Sequence, residues 1–301
     1  MGCEMKTVIV TGGTGFLGSH IVKKLLELKY KVVILKLSTS PVDRIINILD
    51  KIKCYDTDST EITIPFEENG KIDSIIHCAT AYGRNGEKAS EIYKNNTLFP
   101  LQLLETATFF NTDTFFNTDT FFNTDTILYK YLNYYSISKK HFSELGRQLA
   151  ESGKIKFINI KLEHMYGPGD DISKFTTYII KSCIDNIPEI KLTPGEQKRD
   201  FIYIDDVVSA YIKLLQSFNA LNLNYYDFDL GSGEAVKIKD FVTLAHSLTK
   251  SETKLSFGAI PYRENEIMES KSDISKLKSL GWSPKISLQE GINRMIKGES
   301  E

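Results

Sequence analysis

Hydrophobic positions in the first half of the chain alternate between short unbroken runs and helical stripes. Thr7-Val8-Ile9-Val10 is a run of the first kind; Phe16, Leu17, Ile21, Val22, Leu25 and Leu26 then recur at helical spacing. The first pattern predicts a strand, and the second an amphipathic helix with one buried face. The alternation continues with strands at Lys31-Val32-Val33-Ile34-Leu35, Asp73-Ser74-Ile75-Ile76-His77 and Lys156-Phe157-Ile158-Asn159-Ile160, and a helix from Glu91 to Ala107. β-rich runs separated by helices call for right-handed crossovers, so the pattern predicts an α/β fold with a doubly wound parallel sheet. Beyond about residue 165 turn signals thicken at Gly167-Pro168-Gly169, Pro194-Gly195 and Gly231-Ser232-Gly233. They predict a first domain over 1–162 plus about 200–230, including a returning helix from Asp205 to Leu215. A smaller mixed α/β domain would take 163–199 and 231–301.

One stretch has a different period. Residues 109–126 are three copies of Phe-Phe-Asn-Thr-Asp-Thr. Six residues are too few for a helical solenoid repeat, so the stretch reads as a tandem duplication in which one copy serves the fold and two are insert. Paired Phe without a breaker makes the spare copies an aggregation hazard unless covered.

Composition narrows the class. The 301 residues are 41% hydrophobic with a formal net charge of −2, enough apolar content for a real core and no basic footprint for nucleic acid or anionic membrane. No apolar run reaches a membrane span, and no signal-peptide pattern precedes the first strand. Met1-Gly2-Cys3 lacks the Ser or Thr that myristoylation requires where Lys6 stands. Cys3, Cys54, Cys78 and Cys183 form no CxxC and no ligand cluster. Reduced thiols, a cytoplasmic location and no metal are the expectation.

The first strand runs into Thr11-Gly12-Gly13-Thr14-Gly15-Phe16-Leu17-Gly18. Glycines at 12, 15 and 18 allow a sharp turn, a close approach of backbone to phosphate, and tight helix–strand packing. The following helix N-terminus offers N–H groups and the positive dipole end to a pyrophosphate, so the turn predicts a Rossmann-type dinucleotide site. Tyr135 and Lys139, four apart at the head of a predicted helix, share one face. An ammonium beside a phenol favours phenolate, which predicts that Lys139 lowers the Tyr135 pKa and equips it for acid–base catalysis.

Together with Asp73–Ala81, Asn96, Tyr166-Gly167-Pro168-Gly169, Arg199–Asp206 and Gly281–Leu288, these motifs resemble the extended short-chain dehydrogenase/reductases acting on nucleotide sugars. The resemblance runs over nearly the whole chain. It implies a cofactor site built from Gly12, Thr14, Gly15, Phe16, Leu17, Gly18, Ala79, Thr80, Ala81, Asn96, Tyr135, Lys139, Leu162 and His164. It places the substrate among Tyr82, Thr126, His164, Arg199 and Arg263, the arginines being suited to a diphosphate by their paired donors. A Ser or Thr completes the family's catalytic set. Thr112, Thr118 and Thr124 are the candidates; Thr124 matches best, although 11 residues before Tyr135 is short spacing, and Thr118 is the reserve. The family's dehydratases carry Thr-Asp-Glu, and Thr126 standing for that Glu after Asp125 argues against dehydration. His77 and His164 read as packed or hydrogen-bonding residues, with His164 placed to shape specificity.

At the end of the second strand Lys36, with Ser38 and Arg44 after it, holds the place where an acidic residue would select NAD. A cation there suits a 2′-phosphate and predicts NADP(H), with Asp56 or Asp58 near the adenine. The resemblance then implies an NADPH-dependent reductase of a nucleotide-linked keto-sugar, reducing carbon 4, and a homodimer joined through the helix that bears Tyr135. A 4-epimerase with resident NAD and a non-catalytic NADP-binding protein stay open.

Overall fold

The computed structural model describes residues 5–84, 86–110, 118–218 and 221–300. In chain order the first part holds β1 (Thr7–Thr11), α1 (Phe16–Glu27), β2 (Lys31–Lys36), a 3₁₀ helix (Asp43–Lys51), β3 (Lys53–Asp56), α2 (Ile64–Asn69) and β4 (Ser74–His77). Next come α3 (Ala89–Tyr93), one π turn (Lys94–Leu98), α4 (Phe99–Phe110), β5 (Thr120–Thr126), α5 (Tyr134–Glu151) and β6 (Lys156–Leu162). They are followed by β7 (His164–Tyr166), α6 (Phe175–Ile184), β8 (Glu189–Leu192), β9 (Lys198–Tyr203), α7 (Ile204–Ser217) and β10 (Tyr225–Leu230). The chain closes with β11 (Ala235–Lys237), α8 (Ile238–Thr249), β12 (Lys254–Phe257), α9 (Ser275–Ser279) and α10 (Leu288–Ser300).

Seven strands form the main sheet in the order β10-β6-β5-β4-β1-β2-β3. The β1–β2, β1–β4, β2–β3 and β4–β5 pairs are all parallel. Every residue of β1, β4 and β5 is buried, as expected for central strands covered by helices on both faces. The Rossmann-type doubly wound sheet predicted from the hydrophobic pattern is the observed fold. Smaller sheets, β11-β9-β7 and β12-β8, lie later in the chain.

The chain divides into one compact unit of Met1–Lys161 with Tyr211–Phe228 and a second of Leu162–Ala210 with Asp229–Glu301. The expected return at about residue 200 is thus displaced: residues 200–210 group with the second unit, and the division falls inside α7.

The repeat splits between a helix and a strand. Phe109 and Phe110 of the first copy finish α4, where Phe110 stacks on Phe66 with ring centroids 5.4 Å apart. The helix expected to end at Ala107 is therefore longer. The third copy, with Thr120 before it, is β5. Its Phe121 stacks on Phe157 at 5.6 Å, and Phe142 meets both rings edge-on. Thr112 lies outside the described residues.

Candidate active site

β1 ends at Thr11 and α1 begins at Phe16, leaving the glycine turn between them. Gly12 has φ +66°, and a Cβ on it would stand 2.6 Å from the Ala79 nitrogen. A Cβ on Gly18 would stand 2.1 Å from the Gly12 carbonyl oxygen. Both positions require glycine for packing. At Gly15 the nearest neighbour of such a Cβ is the Gly12 oxygen, 3.2 Å away, so internal packing constrains it least of the three. No side chain caps α1, and its first turn carries no acidic residue. Its donor groups and positive end are left for an anion.

Thr11 Oγ1 accepts from the Ala79 N–H at 3.2 Å and lies 2.7 Å from His77 Nδ1. Burial among Phe99, Phe121 and Phe142 holds the His77 pKa well below the usual range, so this imidazole is a neutral packed group. Asn96, on the π turn, accepts from Ala81 N–H (2.8 Å) and donates to Ala81 O (2.8 Å) and Ser138 Oγ (3.1 Å). Both its amide protons are spent on the chain, so it acts by tying the loop after β4 to α5.

Asn133 caps α5, accepting from Ser136 N–H at 2.8 Å, and Tyr135 and Lys139 follow one turn apart. Tyr135 packs on Tyr82 with ring centroids 5.2 Å apart, and the Arg84 guanidinium lies 4.7 Å over the Tyr82 ring. Burial pushes the Tyr135 phenol up, with the Tyr82 phenol adding to the shift, while a hydrogen bond with Thr126 and the Arg84 charge oppose it. This corrects the expectation of a phenol acidified by Lys139: desolvation outweighs the neighbouring charges, and the phenol stays protonated. Burial instead acts on Lys139, which is 1% exposed and whose pKa falls to about 8. Its Nζ has no hydrogen-bond partner among the described residues.

The threonine expectation also changes. Thr124 Oγ1 lies 2.7 Å from the buried Tyr211 hydroxyl on α7, whereas the threonine that acts on the Tyr135 phenol, opposing the effect of burial, is Thr126. Thr118, the reserve, precedes β5. Asp125 between these threonines is buried and fully engaged: it accepts from Thr126 N–H (2.7 Å), Lys140 Nζ (3.0 Å) and Asn159 Nδ2 (3.0 Å).

At the ends of β2 and β3, Lys36 Nζ pairs with Asp56, which Lys36 read alone did not foretell. Asp58 accepts from Ser38 N–H at 2.8 Å and from its hydroxyl at 2.5 Å. Arg44 sits in the neighbouring 3₁₀ helix.

In the second unit, Leu162 ends β6 and His164 opens β7. His164 Nδ1 lies 3.1 Å from Glu163, whose other carboxylate oxygen accepts from Ser270 Oγ at 2.6 Å. Arg199 donates to Glu266 at 2.5 Å and to the carbonyls of Lys198 (2.8 Å) and Ile267 (2.5 Å). The arginine expected to hold a diphosphate clamps its own unit in this structure. Arg263 is exposed.

Residues 8–227 match the model of the NAD dependent epimerase/dehydratase family. The chain belongs to this family. Among relatives, CDP-abequose synthase of Salmonella muenchen is 37% identical over 292 residues, 97% of each chain. A putative UDP-glucose 4-epimerase of Methanocaldococcus jannaschii is 28% identical over 312 residues, covering 96% of this chain and 97% of that protein. Among solved structures, the UDP-glucose 4-epimerase of Thermotoga maritima with UDP-glucose superposes with a TM-score of 0.84 at 22% identity, covering 98% of both chains. The UDP-glucose 4-epimerase of Thermus thermophilus, solved with NAD, gives 0.80 at 20% identity, covering 97% of this chain and 98% of that one.

A dinucleotide of the kind the family name implies fits the residues present. Gly15 is the least constrained of the three glycines, the α1 terminus is uncapped, and the buried Lys139 Nζ has no hydrogen-bond partner among the described residues. Sequence reasoning missed Lys140, Glu163, Arg84 and Tyr211 as members of these clusters. Lys140 and Glu163 were legible as neighbours of named residues; Tyr211, 87 positions from Thr124, was not. No helix among the described residues is long and apolar enough to cross a membrane, and no group of His, Cys, Asp or Glu among them could hold a metal ion.

Proposed function

We propose that the chain is an NADP(H)-dependent reductase of the 4-keto group of a nucleotide-linked deoxyhexose. The substrate would be CDP-4-keto-3,6-dideoxyglucose and the product CDP-abequose or CDP-paratose, in O-antigen synthesis. The observation that carries this reading is 37% identity to a CDP-abequose synthase over 97% of both chains. Bound reduced nicotinamide supplies hydride to carbon 4. Tyr135, a phenol kept protonated by burial, gives its proton to the developing alkoxide. Thr126, the threonine that acts on that phenol, replaces Thr124 as the hydroxyl facing the same oxygen. Lys139 binds the nicotinamide ribose, the glycine turn binds the pyrophosphate, and Lys36 with Arg44 takes the 2′-phosphate. The first unit is the dinucleotide domain and the second the nucleotide-sugar domain, with His164 and Arg263 contacting substrate. Elimination of water needs a free acid beside the ring, and Asp125 is tied by three donors.

A 4-epimerase with resident NAD is the second reading, favoured by the Asp56 carboxylate that neutralises Lys36. One assay separates the two: oxidation of NADPH and of NADH followed at 340 nm with CDP-4-keto-3,6-dideoxyglucose. The proposal expects turnover with NADPH preferred, abolished in Tyr135→Phe. Absence of turnover, with NAD carried through purification, would establish the second reading instead.

A further inference from the structure

Lys139 and Lys140 are adjacent on α5; Lys140 meets the buried Asp125 carboxylate, and Asp125 acts on the charge of Lys139. The Asp125 side chain is fully inaccessible, and such a charge requires a counter-ion and hydrogen bonds. Lys140 Nζ lies 3.0 Å from Asp125 Oδ2 and also donates to the Thr126 carbonyl; Asn159 and the Thr126 N–H complete the shell. Lys139 is 1% exposed, and its Nζ has no hydrogen-bond partner among the described residues. The groups acting on Lys139 are Asp125 of β5, Cys78 just after β4, and Lys140 on α5; His77 of β4 feels its charge in turn. Asp125 and Cys78 favour its charged form, and Lys140 opposes it. Neighbours on a helix point about 100° apart, so the register of α5 decides which lysine meets the carboxylate.

We propose that Lys140 is a positioning residue: as dedicated counter-ion of Asp125 it keeps that carboxylate from pairing with Lys139, and so leaves the Lys139 ammonium uncommitted for a ligand. The role given to Lys139 rests on the function proposed above; the pairing itself does not. Without Lys140, Lys139 on the same helix is the other cation whose charge Asp125 favours. A captured Lys139 would be anchored to β5 and held charged.

The test is the titration of Lys139 Nζ in the apo protein, followed by NMR of selectively labelled lysine and assigned with Lys139→Met. Lys140→Met is expected to move that titration up by roughly one to three pH units, the effect of an unshared opposite charge nearby. Lys140→Arg leaves it in place, because Asp125 keeps a cation. Asp125→Asn moves it down, since the repelling Lys140 then remains alone. An unmoved Lys139 in folded Lys140→Met overturns the proposal. Should Lys140→Met fail to fold, an unmoved or raised titration in Asp125→Asn overturns it equally. NADPH affinity by fluorescence is measured alongside and should fall about tenfold or more in Lys140→Met but not in Lys140→Arg. If the titrations shift as expected while Lys139→Met binds NADPH as the unaltered chain does, the positioning role stands and the dinucleotide role of Lys139 fails.

Discussion

Tyr135 and Lys139 show how two effects compete at one pair of residues. Their four-residue spacing puts ammonium and phenol on one face, but burial disfavours the charged form of each, raising the acid and lowering the base. A protonated phenol beside a threonine hydroxyl is the state a proton donor needs. Thr126 and Thr124 should therefore separate in mutagenesis. Thr126→Val is expected to lower kcat at least tenfold with little change in stability, because its hydroxyl is the one that acts on the Tyr135 phenol. Thr124→Val is expected to cost about 1 kcal/mol, or somewhat more, in urea unfolding, because it leaves the buried Tyr211 hydroxyl without its partner. Kinetics and unfolding on both variants check the assignment. From residue identities alone the two threonines could not be separated; a partner on α7 decides which hydroxyl is taken.

At the scale of elements, the glycine turn was legible in full, since strand, turn and helix are contiguous and each glycine has a local reason. The structure grades those reasons. Gly18→Ala drives a Cβ into the Gly12 carbonyl at 2.1 Å and should cost roughly 1–3 kcal/mol by overpacking. Gly15→Ala meets that oxygen at 3.2 Å and should fold with a near-native melting temperature while losing NADPH affinity. Calorimetry and a binding titration on the pair test this; equal destabilisation by both would show Gly15 to be structural. The repeat was legible only in part. One Phe-Phe pair ends a helix against Phe66, and an identical pair enters a central strand against Phe157. Identical residues carry identical propensities, so the choice between helix and strand came from what each copy packs against.

For the whole molecule, Lys139 links the site to stability. Its folded pKa of about 8 lies below its unfolded value near 10.4, so the unfolded chain binds the extra proton between those two pH values. Stability from this group therefore rises with pH from about 8 until the buried tyrosines, Tyr135 and Tyr211, with raised folded pKa values, reverse the trend above roughly pH 10. Urea unfolding at pH 7.5 and 9.5 should show a larger gain for the unaltered chain than for Lys139→Met. Equal gains would remove Lys139 as the cause. The sequence by itself determined the doubly wound sheet, the glycine turn and the placement of Tyr135 and Lys139 one turn apart on a single helix, because strand runs, helical stripes and an i,i+4 step are short-range patterns written in adjacent residues. Tertiary structure alone decided that Asp125 belongs to Lys140, Thr124 to Tyr211, Lys36 to Asp56 and Arg199 to Glu266. These partners come from segments distant in sequence, and which group meets which is set only when the elements pack and water is excluded.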